Sequence, residues 1–291
     1  MKAPTRRRLA ALLVAIATLV GGLTAYSLRA PATLIEGIIW QPTNDYSTPR
    51  GHWHWLGVDT LVVQWSVNDG LAWVPTDAFD AQPMLPDWQT LRQQPWAGRL
   101  VLGLASRMHL EDARREWATL MHQGRRLHAS LPVDFTVDGW YAPIEFSPDW
   151  AGSGAYSPKA SPYLDSLPAP RYVSAYGGYD MSPDAFAAWV ESWLPADATL
   201  LFQDGVGAAG QTPAQARARA DALIEALGEE RIIMVLEAFQ PDGASGFRSA
   251  SLRQLISQLR TYRGLRIHVF SARHLPTRQV IALRLLAPAL H

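Results

Sequence analysis

Cysteine is absent from the 291-residue chain, which excludes a disulfide framework, a thiol nucleophile and a cysteine-ligated metal site. Low-complexity tracts and blocks of like charge, which are typical of disordered segments, are absent too. No glycine-rich loop follows an apolar run, and no Gly-x-Ser-x-Gly sequence occurs. The chain therefore lacks the signatures of a dinucleotide- or phosphate-binding fold and of a serine-hydrolase elbow.

Basic residues are not in excess. The chain has 26 Lys+Arg and 26 Asp+Glu, and four of the basic residues (Lys2, Arg6, Arg7 and Arg8) lie at the N-terminus. Without these four, 22 basic residues face 26 acidic ones. Because nucleic-acid binding calls for basic patches, the composition argues against a nucleic-acid partner.

The first 32 residues differ in character from the rest. The basic head precedes an apolar run, residues 9–28, that carries no charge. This order is typical of an export signal, and the run is close to the roughly 20 residues that can span a bilayer. We expect residues 1–32 to be a signal peptide or membrane anchor. The remainder would then face the periplasm, anchored to the inner membrane or free, or be secreted.

Eight apolar, strand-like runs follow at intervals of a few tens of residues. They are Gly37–Pro42, Thr60–Ser66, Arg99–Ser106, Phe135–Trp140, Tyr172–Tyr176, Thr199–Asp204, Ile232–Glu237 and Leu265–Ser271. Near-continuous apolar runs are typical of parallel strands that are buried on both faces.

Helical patterns lie between several of these runs. Residues 110–130 have apolar side chains at helical spacing, and Ser182 before Pro183 reads as an N-cap followed by proline at the first helical position. Thr212 and Gln215 fit a capping box. Residues 249–262 and 277–286 complete the set.

Strands that alternate with helices eight times predict a (β/α)8 TIM barrel over residues 33–291. The chain is long enough for such a barrel, which commonly takes about 250 residues, and 48% of its residues are apolar. An open, doubly wound sheet is the alternative.

Glutamates mark the ends of two of these regions. Glu145 follows the fourth run after a polar and aromatic stretch, and Glu237 closes the seventh. In TIM barrels the active site lies at the C-terminal ends of the strands, and a pair of carboxylates is what most glycosidases use. We predict Glu145 as general acid/base and Glu237 as nucleophile.

Other strand ends supply amides, acids and flat aromatic rings, which are suited to binding sugars. The predicted substrate-binding residues are Trp40, Gln41, Gln64, Trp65, Asp138, Trp140, Tyr141, Tyr176, Gln203 and Asp204. Twelve tryptophans is a high count, and five of them fall within residues 40–73. Packing of the barrel is the alternative role for each ring.

A metal site is the main competing chemistry. His52, His54 and His109 are candidate ligands, but no carboxylate completes a recognisable set. We predict neither a metal nor a cofactor.

Four segments together resemble a known group of proteins: Gly37–Pro42, Gly57–Trp65, Asp138–Tyr141 with Glu145, and Val173–Tyr176. They resemble an uncharacterised bacterial family of glycoside-hydrolase-like TIM barrels, over most of residues 37–275. More distantly, the two glutamates are similar to the acid/base and nucleophile of the retaining glycosidase clan. That clan usually has Asn before its acid/base, where this chain has Ile144, so a site centred on Asp138 stays open.

Two functional hypotheses follow from these residues. One is an exported, retaining glycoside hydrolase that acts on a polysaccharide or oligosaccharide of the cell envelope or the surroundings. The other is a non-catalytic polysaccharide-binding barrel in an exopolysaccharide export or assembly system. Both predict an aromatic cleft, and only the hydrolase needs two carboxylates at catalytic separation.

Overall fold

A closed barrel of eight parallel strands forms the centre of the computed structural model, which describes residues 33–150, 161–243 and 246–290. The barrel strands are β1 (Gly37–Trp40), β2 (Thr60–Val63), β3 (Arg99–Gly103), β4 (Gly139–Phe146), β5 (Arg171–Ala175), β6 (Ala198–Gln203), β7 (Ile232–Glu237) and β8 (Ile267–Phe270). Strands adjacent in the chain are adjacent in the barrel, and β1 closes it by pairing with β8. The predicted α/β fold, a TIM-like barrel with its first strand beside its last, is confirmed.

Side chains along each strand alternate between the inside and the outside of the barrel. One buried cluster fills the inside: Ile39, Val62, Val101, Tyr141, Leu201, Ile233 and Val235. The intervening residues pack outward with the helices in a larger core that includes Ile38, Val63, Leu102, Phe202 and Leu236. The same alternation decides which side chains at the strand ends face the barrel axis.

Seven α-helices are placed in the described ranges: α1 (Trp88–Arg92), α2 (Leu110–Arg115), α3 (Trp117–Ser130), α4 (Pro183–Glu191), α5 (Pro213–Leu227), α6 (Leu252–Thr261) and α7 (Thr277–Leu290). Residues 161–165 are also helical. The N-cap at Ser182 and the capping box of Thr212 with Gln215 are confirmed. The helix predicted over residues 110–130 is interrupted at Glu116, whose φ and ψ of −100° and 17° are not helical.

The predicted position of the fourth strand is wrong. The strand runs from Gly139 to Phe146, later than the apolar residues 135–137 suggested. Phe135 instead packs edge-on against the ring of Trp88, with ring centroids 5.2 Å apart. Pro143 cannot donate to a sheet ladder, and it sits at a β-bulge between Ala142 and Glu145. Because a proline and a glutamate lie inside this strand, it does not form an apolar run in the sequence.

A β-hairpin extends the end of β7 above the barrel. Its strands, Phe239–Asp242 and Gly246–Ser249, pair antiparallel, and we call it the β7 hairpin. The second extension is a small sheet of two-residue strands, in the spatial order Asp80–Ala81, Leu71–Ala72, Val67–Asn68 and Ala105–Ser106.

The predicted signal or anchor lies outside the described residues. Within residues 33–150, 161–243 and 246–290, no helix is both long enough and apolar enough to cross a membrane.

Gly103, at the end of β3, allows close approach of β2. A Cβ at this position would collide with the backbone oxygens of Val63 and Gln64. We expect Gly103→Ala to lower the free energy of unfolding by about 1–3 kcal/mol, the usual cost of overpacking, as measured by urea denaturation. Gly98→Ala is the matched control, because its Cβ would come no closer than 3.4 Å to the Asp59 oxygen. Equal stability of the two variants would contradict this account.

Candidate active site

Inward-facing polar side chains form a ring at the C-terminal end of the barrel. By alternation from the interior cluster, Gln41, Gln64, Glu145, Gln203 and Glu237 point towards the axis at the ends of β1, β2, β4, β6 and β7. These five are among the residues predicted from the sequence, and the fold brings them to one end of the barrel.

A cavity of about 240 Å³ opens at this end. Polar groups on its lining include Gln41, Gln64, Ser106, Arg107, Glu145 and Ser271, and the larger apolar ones are Trp65, Met108, Leu110, Phe239, Phe247 and Phe270. A narrow space of about 10 Å³, shared by Gln64, Tyr141, Glu145, Ser174 and Gln203, continues into the barrel. Glu145 and Gln64 line both spaces, so they stand where the cavity meets the axis.

Glu145 is partly exposed in the cavity, where the bulge of β4 presents it. Its Oε1 accepts a hydrogen bond of 3.3 Å from Gln64 Nε2. Burial raises the pKa of Glu145, while the Gln203 amide and the charge of Arg114 act in the opposite direction. A carboxyl that keeps its proton nearer to neutral pH is suited to act as a general acid.

Gln64 is 7% exposed, and only one end of its side-chain amide is paired within the described part of the chain. Its Oε1 has no hydrogen-bond partner there. Buried polar atoms are nearly always paired, so this inaccessible oxygen is an exception, in a residue that lines the cavity.

Glu237 is held at the end of β7 by the loop that follows β6. Ala208 N–H donates to Glu237 Oε2 at 2.8 Å, and Gly207 lies so close that a Cβ there would be 2.6 Å from Glu237 Cβ. The residue is only 4% exposed. Burial, and then the charges of Asp204 and Glu145, raise the pKa of Glu237 to about 8.

Asp204 does not reach the cavity. It is fully buried and faces outward from β6, where Gln258 Nε2 and Tyr262 O–H donate to its Oδ2 at 2.7 and 2.9 Å. Its Oδ1 accepts from the N–H groups of Val206 and Glu237 at 3.1 and 3.2 Å. Burial raises the pKa of Asp204. The structure thus puts Asp204 behind Glu237, as a link between β6, β7 and α6, and not among the groups that contact a ligand.

Of the two tyrosines in the predicted set, Tyr141 belongs to the interior cluster of the barrel and Tyr176 directly follows β5. Tyr141 is buried beneath Glu145, with its hydroxyl 2.7 Å from Ser174 Oγ. The Tyr176 hydroxyl accepts a hydrogen bond of 2.6 Å from Arg114, whose guanidinium stacks on Trp150 at 4.3 Å from the ring centroid.

The three tryptophans predicted to bind sugar are all buried, and one of them, Trp65, lines the cavity. Trp40 is fully buried and donates to the Tyr46 oxygen at 3.1 Å, and Trp140 packs outward against His128 with ring centroids 4.5 Å apart. Trp65 lines the cavity, although it is 3% exposed and its N–H donates to the Pro42 oxygen. Alternation along the strands turns Trp40 and Trp140 outward, into the core between the barrel and the helices.

Asp138 lies at the opposite end of the barrel, because it precedes β4 instead of following it. Its Oδ2 accepts from Leu100 N–H at 2.7 Å and lies 3.5 Å from Arg92 Nη2. A larger cavity of about 560 Å³ opens at this end, against Trp88, Arg92 and Phe135. We favour the smaller cavity as the candidate active site because it is lined by Glu145 and Gln64 at the C-terminal ends of the strands.

Sequence reasoning missed the aromatic side of the cavity. Phe239 and Phe247 are on the β7 hairpin, while Phe270 and His274 end and follow β8. The inward position of Phe270 could have been found from alternation along β8. The hairpin residues Pro241, Asp242 and Gly243 have the composition of a loop, so no local pattern predicts that Phe247 lines the cavity.

The histidines considered as metal ligands do not assemble with carboxylates. The rings of His52 and His54 are 6.2 Å apart next to Trp55. Throughout the part of the chain that the structure describes, no three His, Asp or Glu side chains are grouped so that they could hold a metal ion.

Comparison with known proteins supports the fold. No protein-family model matches the chain. It is 27% identical over 206 residues to the uncharacterized protein YbcH of Escherichia coli (strain K12), a match covering 60% of this chain and 66% of that protein, slightly less than two thirds. A crystal structure of a "putative alpha-L-fucosidase" from Bacteroides thetaiotaomicron matches with a TM-score of 0.59 and 13% identity, over 91% of this chain and 97% of that one. At this identity the likeness shows a shared TIM-like barrel.

The raised pKa of Glu237 should make stability depend on pH. The folded state binds this proton up to about pH 8, while the unfolded state releases it near 4.5, so stability is lost as pH rises through that window. Glu237→Gln keeps an acceptor for Ala208 N–H and removes the titration. Between pH 5 and pH 8 the wild type should lose at least about 1.4 kcal/mol more free energy of unfolding than this variant, the equivalent of one pKa unit.

Urea denaturation of both proteins at the two pH values measures this difference. Glu225→Gln, which changes an exposed glutamate on α5, is the control and should behave as the wild type. A wild type and a Glu237→Gln variant with parallel pH dependence would show that Glu237 does not carry the buried proton.

Proposed function

We propose that this protein is a glycoside hydrolase that acts on a polysaccharide or oligosaccharide of the cell envelope or its surroundings. The observation that carries the proposal is that two glutamates, Glu145 and Glu237, stand at the C-terminal ends of β4 and β7 in a closed barrel. Most glycosidases use two carboxyl groups across the scissile bond, one protonated as the acid and the other ionised. The barrel shared with a protein described as a "putative alpha-L-fucosidase" supports the reaction class and makes α-L-fucosides the first substrates to test.

In the proposed reaction Glu145 donates its proton to the glycosidic oxygen while Glu237 attacks the anomeric carbon. Water then hydrolyses the glycosyl–enzyme ester, with Glu145 acting as general base, and the configuration is retained. Gln64, which lines the cavity and donates to Glu145 Oε1, would hold that carboxyl in position. Retention requires carboxyl groups about 5–5.5 Å apart, whereas inversion leaves about 6.5–9.5 Å for a water molecule, and NMR of the first-formed anomer distinguishes the two.

Neutral variants test the two carboxyls directly. In a screen of p-nitrophenyl glycosides and bacterial polysaccharides, Glu145→Gln and Glu237→Gln should each lower turnover at least about 100-fold, within the range of about 10²–10⁴ for acid–base groups. Sugar binding, followed by calorimetry, should remain.

Because Glu237 must be ionised to attack, wild-type turnover should rise as pH increases towards the Glu237 pKa of about 8.

Asp138→Asn is the control, since this carboxylate lies at the far end of the barrel. It should leave turnover within about twofold of the wild type, a change of about 0.4 kcal/mol. Full activity in both Glu→Gln variants, or a large loss in Asp138→Asn, would overturn the assignment of the site.

One observation favours the second hypothesis, a non-catalytic polysaccharide-binding barrel in an export or assembly system. Glu237 is 4% exposed behind residues 207 and 208 and lines neither of the two spaces at this end of the barrel, whereas Glu145 lines both. Saturable sugar binding without hydrolysis across the whole panel would select this function.

We further propose that the N-terminal segment exports the barrel. The support is the basic head followed by the uncharged residues 9–28. A shortened protein that begins at Thr33 should be soluble, monodisperse and folded, as judged by gel filtration and circular dichroism, because β1 starts only at Gly37. Aggregation of this protein, with the full-length chain stable in detergent-free buffer, would show that the segment belongs to the core.

A further inference from the structure

The cavity is small for a polysaccharide-binding cleft. Its volume of about 240 Å³ is below the range of about 300–1,000 Å³ that is typical of pockets for drug-sized ligands. Below it the barrel closes to about 10 Å³ around Tyr141, Ser174 and Leu201. A single sugar ring fits such a space, and a run of linked sugars does not. Any group bonded to that sugar ring must extend out of the cavity across its rim.

Aromatic rings form a continuous path from the cavity wall to this rim. Phe270, which faces inward on β8, meets Phe239 edge-on with centroids 6.0 Å apart, and Phe239 meets Phe247 edge-on at 4.7 Å. Exposure rises along the path, from 6% at Phe239 to 55% at Phe247. Single exposed apolar residues are common on protein surfaces, but Phe247 also lines the cavity.

The β7 hairpin fixes which way Phe247 points. Pro241 lies opposite Phe247 in the antiparallel register, so Phe239 and Phe247 share one face of the hairpin. The other face carries the ion pair of Arg248 with Asp242, at 3.7 Å. The hairpin thus turns its aromatic face to the cavity and its charged face away.

We infer that the cavity holds one terminal sugar unit and that Phe247 packs against the group bonded to it, which would therefore present a flat apolar face. This deepens the proposed function and rests on it. It names the substrate class, a terminal glycoside whose aglycone is an aryl group or the apolar face of a further sugar. It also names the mode of action, release of single sugars from a chain end. Large aromatic side chains are suited to this contact because they bury apolar area with little conformational freedom to lose.

Binding of paired glycosides tests the subsite without needing turnover. The probes are the p-nitrophenyl and methyl glycosides of the same sugar, beginning with α-L-fucose, and calorimetry on the Glu145→Gln protein measures their Kd. Phe247→Ala should weaken p-nitrophenyl glycoside binding about tenfold and methyl glycoside binding less than twofold. Phe247→Tyr, which keeps the flat ring, should stay within twofold for both.

Met84→Ala is the control for loss of an exposed apolar side chain, since Met84 is 52% exposed and is not part of the cavity lining. It should leave both Kd values unchanged. Equal weakening of the two glycosides by Phe247→Ala, no weakening, or the absence of binding at millimolar concentrations throughout the panel would overturn the inference.

Products of the wild type on a reducing-end-labelled oligosaccharide test the mode of action. Labelled products that shorten by one sugar at a time are expected, because the sugar released from the other end carries no label. Labelled products that have lost several sugars at once would overturn the single-sugar assignment even if hydrolysis itself is established. If nothing is hydrolysed but the Phe247-dependent preference for the aryl glycoside is found, the hydrolase proposal fails and the subsite stands.

Discussion

Strict alternation of side chains along the strands of a closed barrel is the constraint on which the rest of this structure depends. Each strand can send only every second side chain to the axis, and the axis below is filled by Ile39, Val62, Val101 and Val235 among others. At the C-terminal end the next inward positions are polar. The ring of amides and carboxyls is therefore set by the same register that packs the apolar interior, and a shift of one residue in any strand would send its polar group into the helical layer.

Buried carboxyls are the costly part of this arrangement. Glu237 and Asp204 are both nearly inaccessible, and ionised groups are poorly tolerated in such surroundings unless they are hydrogen-bonded. The chain supplies backbone N–H groups of residues 206, 208 and 237, together with Gln258 and Tyr262, to satisfy them. Perturbed pKa values of this origin concentrate at functional sites, although structural networks also produce them. Asp204 fits the structural description and Glu145, which is open to the cavity, the functional one.

Predictions from the sequence were more accurate where the pattern behind them was local in the chain. Glu237 and Gln203 follow unbroken apolar strands, so their positions at the top of the barrel could be predicted. The fourth strand could not, because Pro143 and the bulge break the apolar run, and Asp138 was consequently assigned to the wrong end. Trp40 and Trp140 were selected for their chemistry without regard to the face they occupy. Phe247 was out of reach because a hairpin with proline, aspartate and glycine has the composition of an ordinary loop.

The sequence by itself determined the number of strands, their parallel order and the identity of most inward polar groups, because apolar runs and helix caps are local patterns that need no knowledge of neighbours. Only the tertiary structure decided the volume of the cavity, the pairing of Gln64 with Glu145, the burial of Glu237 behind residues 207 and 208, and the aromatic wall ending at Phe247. These features join residues up to about two hundred positions apart in the chain, and they exist only once barrel closure has brought the strand ends together.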